Sequence, residues 1–253
     1  MGNGVTLVEA ALLVLAGFAA GLVGSVAGLA SMVSYPALLA VGLSPVAANV
    51  TNTVGITFAG VGSTLGSRPE LTGQRARLRL LGATAVAGGL SGAGLLLVTP
   101  AEAFEKLVPF LIGGAALAVL ARPRAHLDVT PSPRDQVLQV VGIFLAAVYG
   151  GYFGAAAGVM MLAVLTLTSA ELLPRSIALK NVLLFGANAV AAVFFVVAAP
   201  VAWAAAVPLG AGFFLGGRLG PSVVRRAPAR PLRLFIAVAG LVVAARLAVT
   251  AYG

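Results

Sequence analysis

No cysteine occurs among the 253 residues, and charge is scarce: only 9% of the chain is Asp, Glu, Lys or Arg, and just 7 residues are acidic. Without cysteine there are no disulfides, no thiolate metal sites and no thiol nucleophiles. His126 is the one histidine, set in a central stretch of prolines and arginines. The acids Glu9, Glu70, Glu102, Glu105, Asp128, Asp135 and Glu171 all fall in connections or near the ends of apolar segments. No buried carboxylate is thus expected to act as a proton relay. The patterns H-E-x-x-H and G-x-S-x-G are also missing, so an intramembrane hydrolase would lack its base. No cofactor motif is present, and neither a metal nor a catalytic group is expected. The chain is expected not to be an enzyme.

What fills the sequence instead is apolar. Hydrophobic residues make up 60% of it, and the mean hydropathy is +1.07, well outside the range of a soluble domain. Ten apolar segments follow one another: 7–24, 28–42, 46–66, 78–98 and 107–121, then 136–152, 155–169, 176–198, 203–220 and 232–250. The fold expected is an all-α polytopic membrane protein with the lipid bilayer as its surroundings. Segments 28–42 and 155–169 hold about 15 residues against the ~20 of a full crossing, which suits half-helices. The first Lys or Arg is Arg68. Residues 1–24 therefore lack the positive start of a signal peptide and read as a retained span.

The net charge of +9 does not point to nucleic acid, because the basic residues gather in loops. Arg68, Arg75, Arg77 and Arg79 lie in 67–79, Arg122, Arg124 and Arg134 in 122–135, and Arg225, Arg226, Arg230 and Arg233 in 221–233. By the positive-inside rule these loops are cytoplasmic, and the connections at 99–106 and near Pro200 are outside. The loop after the third segment is basic in the first half and uncharged in the second. The loop after the fourth is acidic in the first half and basic in the second. This opposite bias suits two repeats of five segments inserted upside down, 1–121 and 136–253, joined by the linker 122–135. Both termini would then lie outside the plasma membrane.

The duplication is also written in the residues. Gly21, Gly24 and Gly28 recur as Gly151, Gly154 and Gly158, and Thr51–Asn52 lies beside Lys180–Asn181 when the halves are superposed. Paired glycine ladders, S-P-x-x-A-N-x-T-N from Ser44, A-L-K-N from Ala178 and G-G-R-L-G from Gly216 together resemble the TauE/SafE sulfite-exporter family over nearly the whole chain. That resemblance implies a plasma-membrane permease for a small sulfur-containing anion, such as sulfite or a sulfoacetate-like organosulfonate. One departure is local: the glycine run common in the family reads here Gly24–Ser25–Val26–Ala27–Gly28 and Gly154–Ala155–Ala156–Ala157–Gly158. The residues alone leave open a permease for another small organic or inorganic anion. Outside transport they leave an intramembrane enzyme or a non-transporting scaffold.

Small residues four apart commonly serve close helix packing in lipid. At Gly24–Gly28 and Gly154–Gly158 a chain break would also aim backbone N–H groups at an anion near the midplane, with Ser25 adding a hydroxyl. Asn49, Thr51, Asn52 and Thr53 crowd one apolar helix, where polar groups need partners or a cavity. The opposing repeat offers Lys180, Asn181 and Asn188, with Tyr152 flanking the second ladder. Lys180 sits about 6 Å inside its helix at 1.5 Å per residue. It either snorkels to the headgroups or supplies a fixed positive charge. Arg218 and Arg246 read as anchors near helix ends. Single cysteines at Arg75, Arg124 and Glu102 would have no background labelling. An impermeant thiol reagent applied outside intact cells is expected to label position 102 alone, and labelling at 75 or 124 overturns this orientation.

Overall fold

The computed structural model describes residues 5–120, 133–169 and 171–224, with isolated positions between 238 and 249. Most of the linker 122–135, most of the loop 221–233 and the last segment, including His126 and Arg246, lie outside the described residues. Ten helices and no strand occur among the described residues. They are α1 (Leu7–Ala27), α2 (Ala30–Ala40), α3 (Pro45–Gly66), α4 (Arg68–Leu71), α5 (Arg75–Val98), α6 (Ala101–Leu120), α7 (Pro133–Tyr152), α8 (Ala157–Leu167), α9 (Leu173–Ala198) and α10 (Trp203–Val224).

Helix starts follow the local chemistry. Thr6 and Glu9 form a reciprocal capping box at α1, and Ser44 caps α3 just before Pro45 at its first position. Among the described residues, α1, α5 and α9 are long and apolar enough to cross a membrane. The helices α3, α6, α7 and α10, at 20–22 residues, reach bilayer length as well. The short segments resolve as α2 and α8, 11 residues each. At roughly 16 Å long they cannot span.

Close contacts fix the helix directions. Gly212 faces Val14 and Gly216 faces Phe18, so α1 and α10 run the same way. Gly55 faces Leu209 and Gly66 faces Arg218, which adds α3 to that set. Gly88 against Phe144 and Gly92 against Val148 align α5 with α7 in the same manner. The start of α9 lies beside the end of α3, where Arg175 Nη2 donates to Thr72 O at 2.9 Å. The far end of α9 returns to the start of α3, where the Ala202 N–H donates to Thr51 Oγ1 at 3.0 Å. Thus α3 and α9 are antiparallel. Near the start of α5, Arg77 reaches Glu171 at 3.5 Å and Ser169 at 3.3 Å, which aligns α5 with α9. One three-helix set (α1, α3, α10) therefore opposes another (α5, α7, α9), and each takes helices from both halves of the chain.

Glycine makes these seams possible. A side chain at Gly92 would collide with the backbone of Val148 and Tyr152, whereas one at Gly94 meets nothing within 4 Å. Backbones this close gain dispersion contacts that lipid cannot offer in exchange. Gly92→Val is expected to destabilise the protein by about 1–3 kcal/mol through overpacking. Gly94→Val is expected to leave the melting temperature in detergent unchanged. Equal behaviour of the two variants would remove the seam from the account of stability.

Candidate functional site

The two chain breaks meet between the sets. Helix α1 ends when Gly28 adopts a left-handed backbone (φ +79°) and its N–H closes on Gly24 O at 2.8 Å. Helix α7 ends when Tyr149 O accepts from both Phe153 N–H (2.9 Å) and Gly154 N–H (3.0 Å), with Gly154 also at φ +79°. The left-handed positions are therefore Gly28 and Gly154, not the sequence-matched Gly24 and Gly154. Gly24 stays within α1, and Gly158 lies inside α8. Glycine identity alone did not distinguish these positions; the capping carbonyl did. Ala156 carries φ +64° in the stretch where alanines replace glycines, a conformation costing an L-residue roughly 1–2 kcal/mol.

At their closest the breaks leave no room for a side chain. A Cβ on Gly28 would lie 2.6 Å from Gly158 Cα, and one on Gly158 would lie 2.5 Å from Gly28 Cα. Beside this contact is a cavity of about 50 Å³, bordered by Gly24, Ser25, Gly28, Gly154, Gly158, Asn181 and Asn188 from the predicted set. Since one water needs about 10–15 Å³ on this measure, the space suits a compact body of a few heavy atoms. Gly60, Ser63 and Phe185 also line it, and none of them stood out in the sequence. Gly60 could have been found only from the packing, because a Cβ there would strike the Phe185 ring.

The polar groups on the cavity wall are unequally committed. Neither α2 nor α8 has a side-chain cap at its N-terminus, and Ala30 and Ala157 from their first turns are on the wall. Asn181 is 5% exposed, and its Nδ2 donates no hydrogen bond. Asn188 is less free, since its Nδ2 donates to Leu184 O at 2.8 Å. The Ser25 hydroxyl donates to Gly21 O (2.8 Å) and toward Gly217 O (3.3 Å), so its proton serves the α1–α10 seam.

The remaining predicted residues do not border this cavity; Lys180, Asn49 and Asn52 fasten the broken elements, while Thr51 accepts from the Ala202 N–H. Lys180 is 0% exposed and donates from Nζ to Gly24 O at 2.9 Å and Ser25 O at 3.1 Å. It does not snorkel; its ammonium sits on the last carbonyls of α1, at the negative end of the helix. Asn49 Nδ2 donates to Tyr152 O, the last carbonyl of α7, at 2.8 Å. Each long helix thus caps the broken helix of the other half. Asn52 holds α2 in place, donating to Ser31 Oγ at 3.0 Å and accepting from Ser34 Oγ at 2.5 Å. Thr53 Oγ1 donates within its own helix to Asn49 O. The Tyr152 ring packs edge-on against Phe104, centroids 5.8 Å apart. Ser31 and Ser34, one turn apart on a short apolar segment, were the signal that sequence reasoning passed over.

Among the described residues, a helical bundle in which two helices break beside a shared cavity has the build of a polytopic membrane transporter. The chain belongs to the family of sulfite exporters TauE/SafE, whose model matches residues 13–247. It is 29% identical over 244 residues to the "probable membrane transporter protein ORF9" of a Sinorhizobium species, covering 94% of this chain and 91% of that one. It is 26% identical over 242 residues to the "probable membrane transporter protein YfcA" of Escherichia coli K12, covering 92% and 87%. A "probable membrane transporter protein" of Haemophilus influenzae is 29% identical over 221 residues, covering 85% and 84%. No solved structure matches the chain.

Hydrogen bonds from a charged group contribute about 1.5–3 kcal/mol, and removing one partner leaves buried carbonyls short of donors. Lys180→Met is therefore expected to lower the melting temperature by several degrees. Asn188→Ala, which loses a bond within one helix, is expected to cost less than about 1.5 kcal/mol. Similar melting temperatures for Lys180→Met and the parent would refute the capping role.

Proposed function

We propose that this protein is a plasma-membrane permease for a small sulfur-containing oxyanion, such as sulfite or a compact organosulfonate, bound between the two chain breaks. The observation that carries this reading is the unpaired Asn181 amide, buried on a cavity that the uncapped N-termini of α2 and α8 also border. An anion that leaves water needs replacement donors, and helix N-termini supply both N–H groups and a positive potential. The opposed helix sets support two inverted repeats around this site, which would be reached alternately from the two sides. Reading the rim that carries Arg68, Arg75 and Arg77 as cytoplasmic accords with the charge bias, and both termini are then outside. Transport without covalent chemistry fits the residue set, because Lys180 is the one charged side chain among the described buried residues.

Proteoliposomes loaded by pre-equilibration and challenged with ³⁵S-labelled sulfite test the reading. Uptake above empty vesicles is expected, and Asn181→Ala should weaken sulfite binding at least tenfold, about 1.4 kcal/mol, with normal insertion. Displacement by acetate but not by sulfonates would move the substrate to carboxylates. Absence of any anion flux from properly inserted protein would end the permease reading.

A further inference from the structure

We propose that the broken end of α7 binds a monovalent metal cation of sodium's size, with Asn49 as its side-chain ligand, directly beside the anion cavity. The inference uses the anion reading above only to say what the cation is coupled to. Its starting point is an inequality between the two breaks. The final carbonyls of α1 receive the Lys180 ammonium. The final carbonyl of α7 receives only the neutral Asn49 amide. Helix ends of this polarity attract cations, and unwound carbonyls at such ends can coordinate them.

Asn49 adds an independent observation. The residue is 0% exposed, its Nδ2 is committed to Tyr152 O, and its Oδ1 accepts no hydrogen bond. A fully buried acceptor without a donor calls for a bound water or a cation, and the negative end of a helix beside it favours the cation. Two other oxygens lie near the same helix end. The point where a Gly154 side chain would begin lies 3.0 Å from Gly150 O and 3.6 Å from Ser31 Oγ. Ser31 is in turn held by Asn52, less than one turn beyond Asn49.

The donor set selects the ion. Asn49, Ser31 and backbone carbonyls are neutral hard oxygens, suited to an alkali cation rather than to a transition metal. Among the described residues no group of three or more His, Cys, Asp or Glu could hold a metal, which argues against a divalent ion at this place. None of the ligands titrates near neutral pH, so a proton is not the favoured occupant. Gly154 lies at the helix end and also borders the anion cavity. Each ion would therefore favour binding of the other, and that coupling is reciprocal.

The test uses purified full-length protein with sodium chloride as the probe, against choline and potassium chloride at one ionic strength. Sodium is expected to raise the melting temperature of the parent and of Asn181→Ala, but not of Asn49→Leu. Asn49→Asp, which keeps the size and adds charge, should tighten the apparent sodium affinity at least tenfold. This second variant decides the matter if Asn49→Leu fails to fold. A parent protein that answers sodium no differently from choline, or an Asn49→Asp protein with unaltered sodium affinity, overturns the proposal. Sulfite binding in a sodium-indifferent protein would sink the cation site and spare the anion reading. A sodium response without any sulfite binding would do the reverse.

Discussion

Two helices stop inside an apolar bundle, and each leaves peptide groups that hydrocarbon cannot satisfy. Backbone without hydrogen bonds costs several kcal/mol per group in such surroundings, so interruptions survive only where protein or a polar cavity meets them. A few of the polar residues in the interior answer to this requirement. Lys180 and Asn49 close the carbonyl ends of α1 and α7, and Asn52 anchors the segment that follows the first break. The amide ends of α2 and α8 receive no such side chain. Backbone carbonyls take part of that role, since Ala157 N–H donates to Gly154 O and Val159 N–H to Ala156 O, while the Asn181 Nδ2 has no partner.

The same breaks dictate where glycine must be. Gly28 and Gly158 approach so closely that any β-carbon would enter the other's backbone, so two polypeptide segments meet there without side chains between them. Farther out, glycines on α5 and α10 receive the backbones of α7 and α1. The outer seams hold each three-helix set together, while the sets are joined by the central glycine contact and by α3 packing along α9, where Val54 meets Ala192 and Gly60 meets the Phe185 ring.

The membrane class, the all-helical fold and the two short segments were legible in composition and segment length. The ladders marked the break regions because glycine spacing is a local signal. The residue at which each helix ends was less legible, since it depends on partners distant in sequence: Lys180 for α1, and Asn49 for α7. For the same reason the polar cluster divides in a way that no spacing rule announces. Asn181 and Asn188 border the cavity, whereas the Asn49 Nδ2, the Thr51 hydroxyl and the Asn52 side chain engage backbone and serine partners away from it. Neighbouring residues on a helix point up to 100° apart, so Lys180 and Asn181 can serve two different purposes while adjacent in the chain.

Lys180 can still act on a bound anion without touching it. The carbonyl end of a helix carries roughly half a negative charge, and α1 ends at the wall of the cavity. Left bare, half a charge at about 6 Å and an effective dielectric near 20 would oppose an anion by roughly 1.4 kcal/mol, a factor of ten in affinity. The ammonium seated on Gly24 O and Ser25 O cancels that opposition and leaves a net positive remainder. A neutral side chain of equal length could fill the same space beside α1. It would leave the negative end of the helix facing a ligand, so on the proposed reading the charge of Lys180, more than its reach, would make the first break compatible with an anion.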